Sequence, residues 1–419
     1  MKIWLTQIGE QLPLDGNARK MRTALLADEF VRRGHGVTWW ASAFDHSSKK
    51  FIFENDEEVS LQDNYKIRVL FGIKYNKNIS LRRYWDHQAI SRKLYEQACR
   101  AEKPDIIVVS MPDHLTAFQA VRYAKSRNIP VVVDVRDEWP DLFVEAVPRF
   151  LQPSARHFLK NDLENTAQLL AHSNGITSMM ETLHLWALKK AGRERTWMDR
   201  VFHLGTMPPR PVDASILPGD VYALKEKVQN RFVLLYIGTF GKHNDPTILL
   251  KAARELKASG KGDRFSFIIA GDGKYFADIE KAAKDLNNVF LPGWVGQNEI
   301  SFLMSLSTVG VIPSTSVRNE FPNKAFTYLS AGLPIIASTR GELAEIIQMN
   351  KVGSRYEPND YIGLTRNLVE LESKSGEILA MSANAKKIFH ERFHAEKIYG
   401  DFADHVEKIA SAHDLSRQP

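Results

Sequence analysis

Only one cysteine, Cys99, occurs among 419 residues. No internal disulfide can form, so a reducing compartment, the cytoplasm, is the expected home. Without an evident histidine partner, that thiol reads as core or inert surface. Long apolar runs are missing too. No stretch approaches the roughly 20 residues needed to cross a bilayer, and Met1-Lys2-Ile3-Trp4-Leu5 leads into a strand instead of an apolar signal-peptide core. The chain is therefore expected to be neither secreted nor integral to a membrane. No Gly-x-Gly-x-x-Gly follows either opening strand, which argues against NAD-dependent oxidoreduction. An Asp-x-Asp pair is absent throughout.

What is present is the material for two cores: 44% of the residues are hydrophobic, and the length supports two domains at roughly one per 150 residues. The halves repeat one grammar. Ile3 to Ile8 reads as a strand, Gln11 to Asn17 as a loop, then a helix runs to about Arg33 before the strand Val37 to Trp40. Phe232 to Ile237, the loop Gly238 to Asn244, a helix with Leu249, Ala252, Ala253 and Leu256 on one face, and the strand Phe265 to Ala270 follow the same order. Further strand-like runs at Ile106 to Val109, Val131 to Val135, Val289 to Leu291 and Val309 to Ile312 point to two parallel doubly wound sheets. Ligands then belong at the carboxyl ends of the strands. Pro208, Pro209, Pro211 and Pro218 crowd one stretch and mark the linker. The expected domains are 1–207 and 208–389, with a C-terminal helix over 390–419 free to cross back onto the first.

The densest signal is Phe321 to Ser338, FPNKAFTYLSAGLPIIAS. Asn323 reads as the N-cap of a helix carrying Ala325, Tyr328 and Leu329 on one face, with Gly332 and Pro334 as its stop and a buried strand behind it. Unpaired N–H groups and the positive end of the helix dipole suit a pyrophosphate, and Lys324 adds a full charge.

Together these segments resemble the retaining GT-B glycosyltransferases of family 4, in particular those of bacterial surface-polysaccharide and lipopolysaccharide assembly. The resemblance rests on QIGEQLPLDGNARKMR with RRGHGVTWWAS, on IPVVVDVRDEWPD, VLLYIGTFGKHND, FIIAGDGKY and NVFLPGWV, and on PNKAFTYLSAGLPIIAS. It implies an α/β GT-B fold, two Rossmann-like domains with a cleft between them. It also implies a UDP- or GDP-linked sugar donor held by the C-terminal domain, an acceptor held by the N-terminal one, and neither cofactor nor metal. Lys242 matches the family's loop cation, and Gly238, Lys324, Asn323 and Gly271 join it as donor-binding candidates. Trp294 and Val295 lie where the family places the base; Val295 is the donor-binding candidate, an aromatic after a strand being ordinarily core.

Two pairs of columns depart from the family, and Thr239 and Asn244 stand where its basic pair usually falls. Its acidic pair falls on Asn319 and Thr327, neither acidic, which leaves Thr327 a weaker donor contact and Glu320 the catalytic carboxylate candidate after a one-residue loop shift. His114, after the strand ending near Ser110, is the second catalytic candidate. On the acceptor side stand Gly16, Asn17, Arg136 and Asp137, with Asp137 expected to orient Arg136 through a bidentate pair.

Net charge is +6. Arg82, Arg83, Arg92, Lys93 and Arg100 mix with Tyr84, Trp85, Ile90 and Leu94, a pattern that suits an anionic membrane surface. A basic surface helix over its own core is the bland alternative, and no nucleic-acid partner is assigned. The reading is a glycosyltransferase acting on a glycan or polyprenyl-diphosphate-linked acceptor, peripheral on the cytoplasmic face of the inner membrane. An epimerase or phosphorylase of the same fold, or a silent sugar- or nucleotide-binding relative, are the alternatives.

Overall fold

The computed structural model describes residues 1–14, 20–241, 245–315 and 321–415. Gly16, Asn17, Lys242, Asn319 and Glu320 therefore lie outside the described residues. The chain forms two compact units, Met1–His203 joined by the segment from Glu396 onward, and Leu204–Ala395.

The first unit is built on strands β1 (Lys2–Thr6), β2 (Gly36–Ser42), β5 (Glu57–Gln62), β6 (Tyr65–Leu70), β7 (Ile106–Met111), β8 (Val131–Val135), β9 (Gly175–Ser178) and β10 (Arg200–Val201), with a small hairpin, β3 (Phe44–Asp45) and β4 (Lys50–Phe51), after β2. The strand order is β10-β9-β8-β7-β1-β2-β6-β5. Seven strands run parallel, and β5 runs antiparallel to β6, so this sheet is mixed and not wholly parallel as expected. Its edge strand alternates exposed and half-buried residues, as suits an edge with one wet face. Central strands such as Val131–Val135 are buried throughout because helices cover both faces. Of these helices, α1 (Arg22–Arg32), α2 (Leu81–Ala98), α3 (His114–Arg127) and α4 (Lys160–His172) bear on function. Trp4 anchors the core between Trp40, edge-on at 5.1 Å, and Tyr123, stacked at 5.4 Å.

The second unit has β11 (Phe232–Ile237), β12 (Phe265–Ala270), β13 (Val289–Gly293), β14 (Val309–Ile312), β15 (Ile335–Ala337) and β16 (Gly353–Arg355) in the order β13-β12-β11-β14-β15-β16, all parallel. Helices α5 (Thr247–Ala258) and α6 (Asn323–Ala331) follow β11 and β14. Leu249, Ala252, Ala253 and Leu256 form the buried face of α5. In both sheets the first strand sits inside, and the chain winds first to one side of it and then to the other. That reversal opens a crevice at the carboxyl ends, beside β1 in one unit and β11 in the other.

The last helix, α7 (Ala395–Leu415), completes the first unit. Phe402 stacks on Phe202 at 4.5 Å, and the Arg22 guanidinium lies 5.1 Å from the Phe402 ring. Glu407 accepts from Arg33 at 3.1 Å and meets His35 at 2.9 Å. Among the described residues no helix is long and apolar enough to cross a membrane.

Candidate functional site

In the second unit the crevice lies between the loops after β11 and β14. Strands β11 and β14 pair through only Leu234↔Val309 and Leu235↔Gly310. Beyond that point the Tyr328 hydroxyl takes over: it donates to Leu235 O at 3.1 Å and accepts from Ile237 N at 3.0 Å. The ring fits because residue 310 is glycine; a Cβ there would meet it at 2.4 Å. This bridge ties α6 to β11 and fixes where the helix begins.

The start of α6 is chemically distinct. Pro322, not Asn323, occupies the cap position, with φ −69° and ψ 146°, and no side chain caps the helix. Asn323 is instead its first residue, because Pro322 holds the extended ψ of a cap and has no side-chain acceptor to offer the helix. No acidic residue stands in its first turn. Among the described residues of this unit the other α-helices each start with an acidic residue in the first turn or a capping carboxylate; in α5 this is Asp245, which accepts from Thr247 N at 2.9 Å. Among the described residues no carboxylate offsets the positive end of α6, which suits an anion.

Lys324 reaches from α6 across to β11. Its Nζ lies 4.1 Å from the centre of the Tyr236 ring, a cation–π contact, and 2.9 Å from the place a Cβ on Gly238 would fill. Gly238 has φ +151° and Gly271 φ +147°. A Cβ on Gly271 would stand 1.9 Å from Gly238 O, so the two loops pack backbone on backbone. Gly271 N donates to Gly293 O at 2.7 Å, and Phe240 N to Asp272 O at 2.9 Å. The glycines of Gly271-Asp272-Gly273 are therefore required by strand-end packing, since a Cβ on Gly273 would stand 2.5 Å from Phe240 O. The Thr327 hydroxyl donates to Asn323 O at 3.4 Å along its own helix. Val295 is 8% exposed, whereas Trp294, expected in the core, is 77% exposed at the end of β13. A polar recess of about 60 Å³ lined by Asp245, Thr247, Ser314, Thr315, Ser338 and Asn359 adjoins this edge.

In the first unit carboxylates close the starts of α1 and α3. The Glu10 carboxylate accepts from Thr23 N at 3.0 Å and Ala24 N at 3.1 Å, closing the N-terminus of α1. Asp113 caps α3, accepting from Thr116 N at 3.3 Å, and faces His87 Nδ1 at 3.0 Å. Arg136 is fully engaged. It donates to Asp134 and Glu10 at 2.9 Å each, to the Thr23 hydroxyl at 2.8 Å and to the Ser110 hydroxyl at 2.9 Å. The expected Asp137–Arg136 pair does not form. Asp134 and Glu10 take that place because they lie deeper at the strand ends, and Asp137 instead accepts from Glu138 N at 3.0 Å. Asp134, 1% exposed, also receives both arms of Arg22 at 2.8 and 2.7 Å and the Thr177 hydroxyl at 3.0 Å. His114, the first residue of α3, is 3% exposed with Nε2 3.4 Å from Asp162 but, among the described residues, no hydrogen bond from either ring nitrogen; the Tyr84 hydroxyl donates to that carboxylate at 3.2 Å. Glu10, Arg22, Asp134 and Tyr236 escaped the sequence reading because their partners lie far away in the chain.

Comparison with known proteins covers both units. The model of "Glycosyltransferase Family 4" matches residues 21–187, and that of "Glycosyl transferases group 1" matches 223–388. The chain carries the two domains of a GT-B glycosyltransferase. Among curated proteins, 2-deoxystreptamine glucosyltransferase of Streptomyces kanamyceticus is 23% identical over 252 residues, 55% of this chain and 64% of that protein. The match thus spans just under two thirds of that relative's length. Among solved structures, Anabaena Alr3699/HepE in complex with UDP superposes with a TM-score of 0.66 at 16% identity, over 97% of this chain and 99% of that one. WaaG, a glycosyltransferase involved in lipopolysaccharide biosynthesis, gives 0.62 at 15% identity, over 96% and 99%. At these identities the likeness speaks for the GT-B fold alone.

Proposed function

We propose that the protein moves a sugar from a UDP- or GDP-linked donor to a glycan or polyprenyl-diphosphate-linked acceptor, with retention of anomeric configuration. Residues 208–389 take the donor and 1–207 the acceptor. One observation carries the reading: among the described residues no carboxylate stands in the first turn of α6, at the switch point of its sheet, and Lys324 is drawn over Tyr236 beside Gly238. As the glycosidic bond breaks, the leaving diphosphate gains negative charge, and preorganised N–H groups and an ammonium stabilise that charge more than the ground state. Relatives that bind UDP or are named glucosyltransferases support a nucleotide-sugar donor. The lipopolysaccharide neighbour supports a surface-glycan acceptor. Glu320 and His114 are the proposed catalytic residues; Gly16, Asn17, Arg136 and Asp137 line the acceptor side. A relative that binds without transferring is the second reading, favoured by Thr327, whose hydroxyl is turned to its own helix. A product assay with a nucleotide-sugar panel, reading the anomer by proton NMR, separates the two.

The donor site has a direct test. UDP or GDP is expected to raise the melting temperature and the monophosphates to raise it less, since a ligand bound only by the folded state stabilises by mass action. Lys324→Ala should weaken diphosphate binding by about 1.5 to 3 kcal/mol, the usual size of a lost charged hydrogen bond. Unchanged affinity would take Lys324 out of the site.

Peripheral attachment to an anionic membrane completes the proposal, on a narrower surface than the sequence implied. Arg83 turns inward over Trp139 at 4.6 Å, and Lys93 pairs with Asp56 at 2.8 Å. Ile79, Leu81 and Trp85 remain exposed at 71%, 61% and 51%, beside the exposed Arg82, and form the proposed docking edge. Paired Leu81→Ser and Trp85→Ser changes should reduce flotation with phosphatidylglycerol vesicles, and salt should release the wild type. Equal flotation with neutral and anionic vesicles would sink this attachment.

A further inference from the structure

Three basic side chains converge on Tyr75 at the carboxyl edge of the first sheet. His46 and Lys49 come from the β3–β4 hairpin that follows β2, and Arg83 from the first turn of α2, after β6. His46 Nδ1 lies 2.7 Å from the Tyr75 hydroxyl, and Lys49 Nζ is 3.2 Å from that same nitrogen and 5.2 Å from the ring centre. The Arg83 guanidinium lies 5.8 Å from the Tyr75 ring and 4.6 Å from Trp139, between two aromatic faces. Asn78 holds both cations at once: its side-chain oxygen accepts from Lys49 at 2.6 Å and its carbonyl from Arg83 at 2.7 Å. Lys49 keeps a left-handed backbone, φ +58°, which a non-glycine residue holds only when its surroundings impose it.

The carboxylates nearby are committed elsewhere. Asp45 accepts from Ser47 N at 2.9 Å and Ser48 N at 3.2 Å, which shapes the hairpin turn. Asp86 accepts from Ile73 N at 2.6 Å, and burial pushes its carboxyl up to about 6. Asp113 caps α3 and faces His87, whose Nε2 accepts from Arg83 Nε at 3.3 Å. Among the described residues, Arg83 and Lys49 form no ion pair with a carboxylate. The crowding of positive charge is felt by the groups themselves: burial first, then Arg83, Lys49 and His87, lower the His46 imidazole to about 4. Burial and Arg83 likewise lower Lys49.

An anion would relieve this arrangement, and the rest of the edge directs it here. The starts of α1 and α3 are closed by Glu10 and Asp113, and Arg136 is spent on Asp134 and Glu10. We propose that Lys49, Arg83 and His46 form a binding site for the phosphate of the acceptor, a phosphomonoester or diphosphate. This deepens the transferase reading above and rests on it. Lys49 and Arg83 bring two positive charges from one hairpin and one helix, more than a single carboxylate uses, to meet the two to three of a diphosphate, with His46 as a neutral hydrogen-bonding ring beside them. The flat Arg83 fork, fixed between rings, suits two phosphate oxygens, and Lys49 adds a point charge. The carboxyl edge of the sheet is where an α/β unit takes its ligands.

The test titrates the full chain with inorganic pyrophosphate by calorimetry, with and without saturating UDP. Binding that persists beside UDP is expected, with Arg83→Gln and Lys49→Gln each weakening it at least tenfold while leaving the affinity for UDP within twofold. Lys324→Ala should do the reverse. Lys49 lies on a turn, so its variant reports even if Arg83→Gln disturbs packing on Trp139; circular dichroism checks both. A short prenyl diphosphate and a hexose phosphate then separate a lipid-linked source from a free one, and preference for either supports the site. Pyrophosphate that fails to bind beside UDP, or binds both variants as well as wild type, overturns it. So does sensitivity to these residues seen with phosphatidylglycerol vesicles and no soluble phosphate. Loss of UDP binding alone would count against the donor reading and leave the pyrophosphate result standing.

Discussion

Replacing Asp134 with asparagine is expected to cost about 3 to 5 kcal/mol at pH 7, the usual range when one partner of a buried ion pair is removed. The change preserves shape and removes charge. Arg22, 2% exposed, would then keep its guanidinium in the core against one neutral amide oxygen, the carbonyls of Phe202 and His203 at 2.8 and 3.1 Å, and the Phe402 ring, with no charged hydrogen-bond partner among the described residues. Arg136 would lose a 2.9 Å partner at the same time. The pH dependence follows from the same geometry. Burial raises the Asp134 carboxyl, but Arg22 and Arg136 outweigh it and hold it well below the usual carboxylate range. For a depressed acid, the unfolded chain binds the proton first as pH falls, so the stabilisation is fully present above the unfolded value near 3.9 and fades only below it. Denaturant unfolding should therefore show a constant gap between wild type and Asp134→Asn from pH 8 to 5, narrowing below about pH 4. A gap under 1 kcal/mol at pH 7 would mean that the network is not what holds this edge together.

Gly271→Ala is expected to cost about 3 kcal/mol or more and to weaken UDP binding at least tenfold. The new methyl would stand 1.9 Å from Gly238 O and 3.0 Å from Phe240 Cε1, and the atom it meets first is backbone that no rotamer change can clear. The loops cannot simply part, since Gly238 N donates to Ala270 O at 3.0 Å and Gly271 N to Gly293 O at 2.7 Å. Strain at a positive φ and overpacking each contribute about 1 to 3 kcal/mol. Lys324 Nζ rests beside Gly238, so any displacement there moves the cation assigned to the diphosphate. Gly34→Ala is the control: its φ is +82° with nothing within 4 Å, so it should cost only about 1 kcal/mol and leave UDP affinity alone. Melting curves and UDP titrations of the two variants decide the matter; equal behaviour would remove the strand-end contact from the account.

The sequence was most legible where local pattern and tertiary role coincide. Phe232–Ile237 and Val309–Ile312 are unbroken apolar runs, and Phe265–Ala270 and Val131–Val135 are interrupted only by Ser266 and Asp134, because parallel strands are buried on both faces; their bounds could be read directly. Glu57–Gln62 went unread because an edge strand with one wet face carries charges, and Gly353–Arg355 because three residues hold no pattern. Around the site, Lys324 was legible as the first-turn cation of a helix that follows a loop. Its actual support, the Tyr236 ring and the missing Cβ of Gly238, depends on β11 lying next to β14. Glu10 and Arg136 are 126 positions apart, and Arg22 and Asp134 are 112. No spacing rule reaches that far. Asp137 was the natural local partner for Arg136, and the deeper Asp134 displaced it.

The last helix has a consequence for the order in which the molecule is made. Phe402, Ala403, Val406 and Ile409 are buried in the first unit, yet the ribosome reaches them after every residue of the second. Vectorial synthesis ordinarily lets an amino-terminal domain finish first. Here the second unit can close its core while the first still shows Phe202 and the Arg33–His35 corner to solvent, awaiting Phe402 and Glu407. Of the two units, the one begun first is sealed second.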